Sequence, residues 1–290
     1  MNEANKRALI ALPIVWVLAI GLGFAGSQNS IMFNGFPLFG LIVMAAFAIQ
    51  FIMFIPAFIW QTEKYFDLTG SLTYISLTLL ALLLREDLDT RAMLLGCMVI
   101  LWALRLGSFL FLRIKKEGKD GRFDELKPSF VRFLNVWNIQ GLWVSLTAAA
   151  AFATLTSAST AGLEIFAYVG GLMWLVGFVI EVIADDQKRR FKNDPASAGK
   201  FINVGLWRFS RHPNYFGEIL LWTGILVMAF PVLSGWQWVV SISPVFVALL
   251  LIKVSGVAMV EKRSDDKWGD DPAYQEYMQS TPMLIPKLKK

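Results

Sequence analysis

Residues 37–59 read PLFGLIVMAAFAIQFIMFIPAFI, a run without one charged side chain. About 20 apolar residues in a helix cross the hydrocarbon core of a bilayer. Comparable segments recur near 8–26, 68–84, 92–112, 138–158, 163–183, 214–232 and 236–258. The segment at 68–84 is short, and the polar run from Gln61 to Thr69 makes its start the least defined. Over all 290 residues the chain is 56% hydrophobic and 17% charged, with a mean hydropathy of +0.54. Soluble domains carry about a quarter charged residues, so the apolar surplus must face lipid. The 11 Trp and 23 Phe agree, because aromatic rings gather at bilayer interfaces. The composition excludes a soluble globular protein and predicts an all-α polytopic membrane helix bundle of seven to eight spans.

The loops test this division independently. With the N-terminus inside, the inner segments are 1–7, 60–67, 113–137, 184–213 and 259–290, and they hold 23 of the 27 Lys and Arg residues. The outer loops hold only Arg85 and Arg91, while Arg105 and Lys253 fall within spans. The positive-inside rule then predicts eight spans with both termini cytoplasmic. Lys6 and Arg7 precede the first span as in a signal peptide, but no clear small-residue cleavage site follows, so we read it as a retained anchor. The net charge of +5 is confined to one membrane face, where it suits anionic headgroups or an anionic ligand and not nucleic acid. The single cysteine, Cys97, excludes an intrachain disulfide and a thiolate metal site. The single histidine, His212, argues against His-rich di-iron centres and bis-histidine haem, so no protein-bound metal is expected.

Charges at membrane depth are costly and commonly functional. Four clusters qualify. Glu63 and Asp67 lie four apart and share a helical face, and Tyr65 adds a phenol; a solvated turn between spans accounts for them equally well. Arg105 lies inside the fourth span near Trp102, with Arg113 on the same face, and a guanidinium at that depth needs a carboxylate or phosphate partner. Glu181, Asp185 and Arg189 line one face where the sixth span leaves the membrane. They suit ribose hydroxyls and a phosphate, or form a helix end stabilised by its own ion pairs. The fourth cluster is Trp207-Arg208-Phe209-Ser210-Arg211-His212-Pro213-Asn214-Tyr215-Phe216-Gly217-Glu218. Pro213 suits a first helical turn, whose free N–H groups beside Arg208 and Arg211 would attract an anion.

The run from Gly205 to Glu218 resembles the C-terminal signature of the steroid 5α-reductase family, and most closely that family's bacterial branch. Glu63-Lys64-Tyr65-Phe66-Asp67, Arg105-Leu106-Gly107, Ala184 to Lys188, and the closing Pro272 to Pro286 match as well. The resemblance divides the chain into N-terminal transmembrane helices at 1–60 and a reductase-like membrane domain at 61–290. It implies an integral membrane enzyme that uses NADPH to reduce a C=C bond conjugated to a carbonyl in a steroid-like or isoprenoid lipid. By that resemblance Arg105, Arg113, Glu181, Asp185, Arg189, Arg208, Arg211, His212, Asn214, Tyr215 and Glu218 contact the cofactor. Glu63, Tyr65 and Asp67 become candidates for stabilising the enolate oxygen, and a carboxyl there would need a raised pKa, which burial could supply. His212 is read as a cofactor contact or helix-cap donor rather than the acid. The family's adjacent Gln-Glu pair is here Gln61 and Glu63, separated by Thr62, which leaves steroid, isoprenoid and quinone-like enones open. No GxGxxG follows a strand, so NADPH would lie between helices.

Two other classes share parts of the pattern. Membrane isoprenylcysteine carboxyl methyltransferases carry an Arg-His-Pro-x-Tyr element like Arg211 to Tyr215 and bind S-adenosylmethionine. A non-enzymatic lipid-binding protein would need the buried charges to be structural pairs only. The localisation expected is a bacterial inner membrane, with membrane lipids as partners and the oligomeric state open.

Overall fold

The structure, a computed structural model, describes residues 3–254 and 256–287, with every side chain among them except that of Glu117. Ser255 of the last span, and Lys289 and Lys290 of the last inner segment, lie outside the described residues. The fold is all-α apart from a short antiparallel hairpin, β1 (Met32–Phe33) and β2 (Phe36–Pro37). Asn34 and Gly35, both at positive φ, turn it. Seven stretches are long and apolar enough to cross a membrane, or eight if one bent helix pair counts as a span. In each apolar window half or fewer of the residues are buried. The rest point outward, as Phe24 and Leu83 do at 80% and 81% exposure, which lipid can cover and water cannot.

The chain forms two compact units. The first comprises residues 1–167 and 228–243. It contains α1 (Glu3–Gly26), α2 (Leu38–Ile59), α3 (Phe66–Leu83), α4 (Thr90–Glu117), α5 (Phe130–Thr147) and α6 (Ala149–Leu155). Helix α5 packs on α1 and α2, and α3 packs on α4. An aromatic core of Phe54, Phe123, Phe133 and Trp137 joins α2 to α5. Its rings meet edge to face, as Phe66 and Trp137 do at 5.1 Å and 80°.

One expectation is corrected here. The fifth span does not begin at 138: its helix starts at Phe130 and bends by 60° between α5 and α6. Buried polar side chains hid its first turns. Asn138 Nδ2 donates to Leu134 O at 2.9 Å and Gln140 Nε2 to Phe66 O at 3.0 Å, which engages one end of each buried amide. Arg85 and Arg91, read as outer-loop charges, are buried. Arg91 donates to Gly162 O at 2.7 Å and Met228 O at 3.2 Å. Arg85 donates to Thr154 O at 2.8 Å and pairs with Asp89 at 3.2 Å. Met228 and Thr154 lie in last helical turns, whose carbonyls have no partner within their own helix.

The second unit comprises residues 168–227 and 244–290. It is built on α7 (Ile165–Asn193), α8 (Pro213–Ala229), α9 (Ile242–Leu249), α10 (Val257–Trp268) and α11 (Pro272–Ser280). Glycines bring α7 and α8 into backbone contact. A Cβ on Gly177 would lie 2.5 Å from Gly217 O, and one on Gly224 would lie 2.5 Å from Gly170 O. Such pairs let helix axes approach closely where apolar burial does not drive association. The approach sets the exit of α7, with Glu181 and Asp185, against the first turns of α8.

Candidate functional site

The second unit gathers most of the residues that the sequence singles out. Helix α7 ends at Asn193, and the chain returns to Pro213 through a 3-10 turn at Gly205–Arg208. Gly205 has a φ of +60°, and Gln187 fills the space where a Cβ would sit. Gln187 Oε1 accepts the Leu206 N–H at 2.8 Å. Trp207 Nε1 donates to Ala184 O at 3.0 Å, and the Lys188 ammonium lies over the Trp207 ring at 4.7 Å. The return segment is thereby fastened to the exit of α7.

At the start of α8, Asn214 Nδ2 donates to Asp185 Oδ1 at 3.1 Å. Asn214 Oδ1 is buried without a hydrogen-bond partner, and buried amide oxygens normally have one. Tyr215 stacks on His212 with centroids 5.2 Å apart and planes 4° apart. His212 Nε2 lies 2.9 Å from Glu261 Oε1, and Arg211 Nε lies 3.4 Å from the same oxygen. Burial pushes the His212 imidazole below its ordinary pKa, the Glu261 carboxylate opposes this, and Lys188 and Arg211 add to the depression.

The closing segment holds this turn in place. Arg211 N–H donates to Pro282 O at 2.9 Å, His212 N–H to Met283 O at 3.1 Å, and Ser210 Oγ to Leu284 O at 2.7 Å. Tyr277 Oη donates to Trp207 O at 2.7 Å, and burial first of all raises its pKa. Tyr274 is pushed up to about 12 by burial and by its bond to Asp265. Both phenols therefore keep their protons and act as donors at neutral pH.

Arg189 pairs with Asp186 at 2.5 Å, as Arg190 does at 2.6 Å. Arg208 is exposed and lies over Phe209. The His212 side chain is engaged by Glu261, so it is not a helix-cap donor. Glu181 is buried, and Glu218 is half-buried on α8. Lys188, Trp207 and Glu261 were not singled out as site residues. Lys188 could have been found three residues after Asp185, but no spacing joins Glu261 to His212.

The first unit holds a second charged cluster. Glu63 is buried and accepts from Lys127 Nζ at 2.5 Å and from the Asp120 N–H at 2.9 Å. Burial alone would raise its pKa; the Lys127 and Asp120 hydrogen bonds overcome this and hold it below the usual carboxylate range. The expected raised pKa is therefore corrected, because an ion pair supplies the charge compensation. Asp67 lies 3.6 Å from Arg113. Tyr65 is 51% exposed and precedes α3, and Gln61, at a φ of +49°, donates to Phe58 O and closes α2. Arg105 lies over Phe109 at 5.6 Å, while Trp102 packs edge-on against Tyr74.

Fold and clusters together define a polytopic all-α membrane protein with polar side chains collected at helix ends. The chain belongs to the family described as protein of unknown function (DUF1295), whose profile matches residues 53–281. It is similar to an uncharacterised protein of Schizosaccharomyces pombe, 23% identical over 230 residues, covering 68% of this chain and 64% of the relative. It is also weakly similar to 3-oxo-5-alpha-steroid 4-dehydrogenase 1 of Bos taurus, 28% identical over 71 residues (24% of this chain, 27% of the relative). The rat enzyme of the same name is 26% identical over 117 residues, 40% of each chain. The chain thus spans less than two thirds of the length of each of these relatives. No solved structure matches it.

Proposed function

We propose that this protein is an NADPH-dependent membrane reductase that saturates a C=C bond conjugated to a carbonyl in a steroid-like or isoprenoid lipid. The observation that carries the reading is Asn214, whose Nδ2 is engaged by Asp185 while its buried Oδ1 has no hydrogen-bond partner. An amide oxygen left so would accept from a bound ligand, and a carboxylate beside it would accept from a sugar hydroxyl. Arg211 and Lys188 supply positive charge near this turn, which suits the phosphates of a dinucleotide. The residues present therefore fit the cofactor, with Glu181, Asp185, Lys188, Arg211, His212, Asn214, Tyr215 and Glu218 as those that would hold it. When bound, NADPH supplies a hydride. The similarity to 3-oxo-5-alpha-steroid 4-dehydrogenase 1 supports the same reading and a lipid ketone as substrate.

The assignment of Arg105, Arg113, Arg189 and Arg208 to the cofactor belongs to this proposal, as does that of Tyr65 and Asp67 to the carbonyl end of the substrate. So do the division at residue 61 and a cytoplasmic-face site in a bacterial-type inner membrane. Glu63, ion-paired to Lys127, serves better as an electrostatic anchor than as a proton donor. The test is NADPH consumption by purified protein with enone lipids, read together with the mass of the lipid. The reading requires one lipid to gain two hydrogens for each NADPH consumed. Methylation of a lipid by S-adenosylmethionine, with no enone drawing on NADPH, would contradict it.

A further inference from the structure

His212 is the only histidine of the chain, and four elements meet around it. Glu261 of α10 reaches Nε2, Arg211 precedes it in the return loop, Tyr215 of α8 stacks on its ring, and Lys188 of α7 contributes positive charge. A carboxylate can only accept a hydrogen bond, so the 2.9 Å contact requires a proton on Nε2. In a neutral imidazole the other nitrogen then carries the lone pair. The contact with Glu261 uses Nε2 and not Nδ1. Arg211, 3.4 Å from the same Glu261 oxygen, places a countercharge beside the carboxylate. His212 is 3% exposed and its ring stacks on Tyr215, and a flip that exchanged its two nitrogens would break the Glu261 contact.

We infer that Glu261 is a positioning residue for His212: it fixes the Nε2–H tautomer and makes Nδ1 a dedicated acceptor for an N–H or O–H group of the ligand. The ligand part rests on the dinucleotide reading, where a carboxamide N–H or a ribose hydroxyl is the group in question. The tautomer part does not. Lys188 and Arg211 disfavour a third proton-bearing state by adding positive charge around the ring. The device thus differs from a general acid, which must carry a transferable proton. It fixes the orientation of a donor on the ligand.

Because His212 stands alone, protein labelled with nitrogen-15 histidine gives one imidazole spin system. Wild-type protein in detergent at pH 7 should show a neutral ring protonated at Nε2. In Glu261→Gln, whose amide can donate or accept, the ring should move to a mixture of tautomers while the protein stays folded by thermal unfolding. NADPH should then bind about tenfold more weakly. A wild-type ring protonated at Nδ1, or charged at pH 7, would overturn the proposal. So would a tautomer unchanged in Glu261→Gln, and Glu261→Ala repeats the test without an amide. If the tautomer moves and NADPH affinity does not, Nδ1 is no ligand acceptor. If wild-type protein shows the expected ring but binds no NADPH, the tautomer part stands and the dinucleotide reading fails.

Discussion

Asn214 and Asp185, 29 residues apart, meet through a 3.1 Å hydrogen bond that ties the first turn of α8 to the exit of α7. The bond engages one side of the Asn214 amide and leaves the other buried without a partner. A buried amide oxygen normally finds a partner, and this one could accept from a bound ligand. Substituting Asn214→Ala should weaken NADPH binding by about 1.5–3 kcal/mol, roughly ten- to a hundredfold. The same change removes the Nδ2 bond to Asp185, so thermal stability should fall by about 1 kcal/mol, less than the loss in binding. Calorimetric titration beside a melting curve separates the two effects.

The close approach of α7 and α8 makes a stability prediction. A methyl on Gly177 would meet Gly217 O at 2.5 Å, a backbone atom that cannot move aside alone. Gly177→Ala should cost about 1–3 kcal/mol by overpacking, and Gly177→Leu more. Gly21, with nothing within 4 Å of its added Cβ, is the control, and Gly21→Ala should leave the melting temperature nearly unchanged.

Arg91 is fully buried with its guanidinium on the carbonyls of Gly162 and Met228. Arg91→Met keeps much of the apolar stem and removes the donors. Two carbonyls would then lack them, at about 1–3 kcal/mol each, and the protein should melt markedly earlier in detergent. An unchanged melting curve would show that these carbonyls find other donors.

The Glu63–Lys127 pair gives a pH dependence with a definite sign. The folded Glu63 titrates below its ordinary 4.5, so its contribution to stability is present above that value and lost as pH falls through the folded pKa. Lys127 titrates above its ordinary 10.5, so its contribution is lost only as pH rises beyond that. Between these limits the pair is intact. Lys127→Met should therefore destabilise the protein by about 3 kcal/mol at neutral pH, with the gap to wild type closing as pH falls below 4.5. A gap constant down to the acid limit would mean that packing, and not charge, is what Lys127 supplies.

The bundle and its span count were legible because lipid imposes a single requirement, a long apolar helix, that composition reports directly. Residues 130–155 were harder. Asn135, Asn138 and Gln140 are buried inside the first unit, and a hydropathy window cannot distinguish an inward polar face from a wet one. The burial of Arg85 and Arg91 was hidden as well, because most of their partners are carbonyls, which carry no sequence signal. In the second unit, the 205–218 run and the Asp185 step were visible as chemistry at helix ends. The Asp185–Asn214 and His212–Glu261 pairings were not, because each joins residues far apart in sequence whose meeting depends on the glycine contacts of α7 and α8 and on the fold of α10.

The central claim is tested most directly by calorimetric titration of detergent-purified protein with NADPH, NADH and S-adenosylmethionine in parallel. The account predicts saturable binding of NADPH that is lost or strongly weakened in Asn214→Ala and Arg211→Ala, and no binding of S-adenosylmethionine. Binding of S-adenosylmethionine alone, or NADPH binding indifferent to both substitutions, would contradict it.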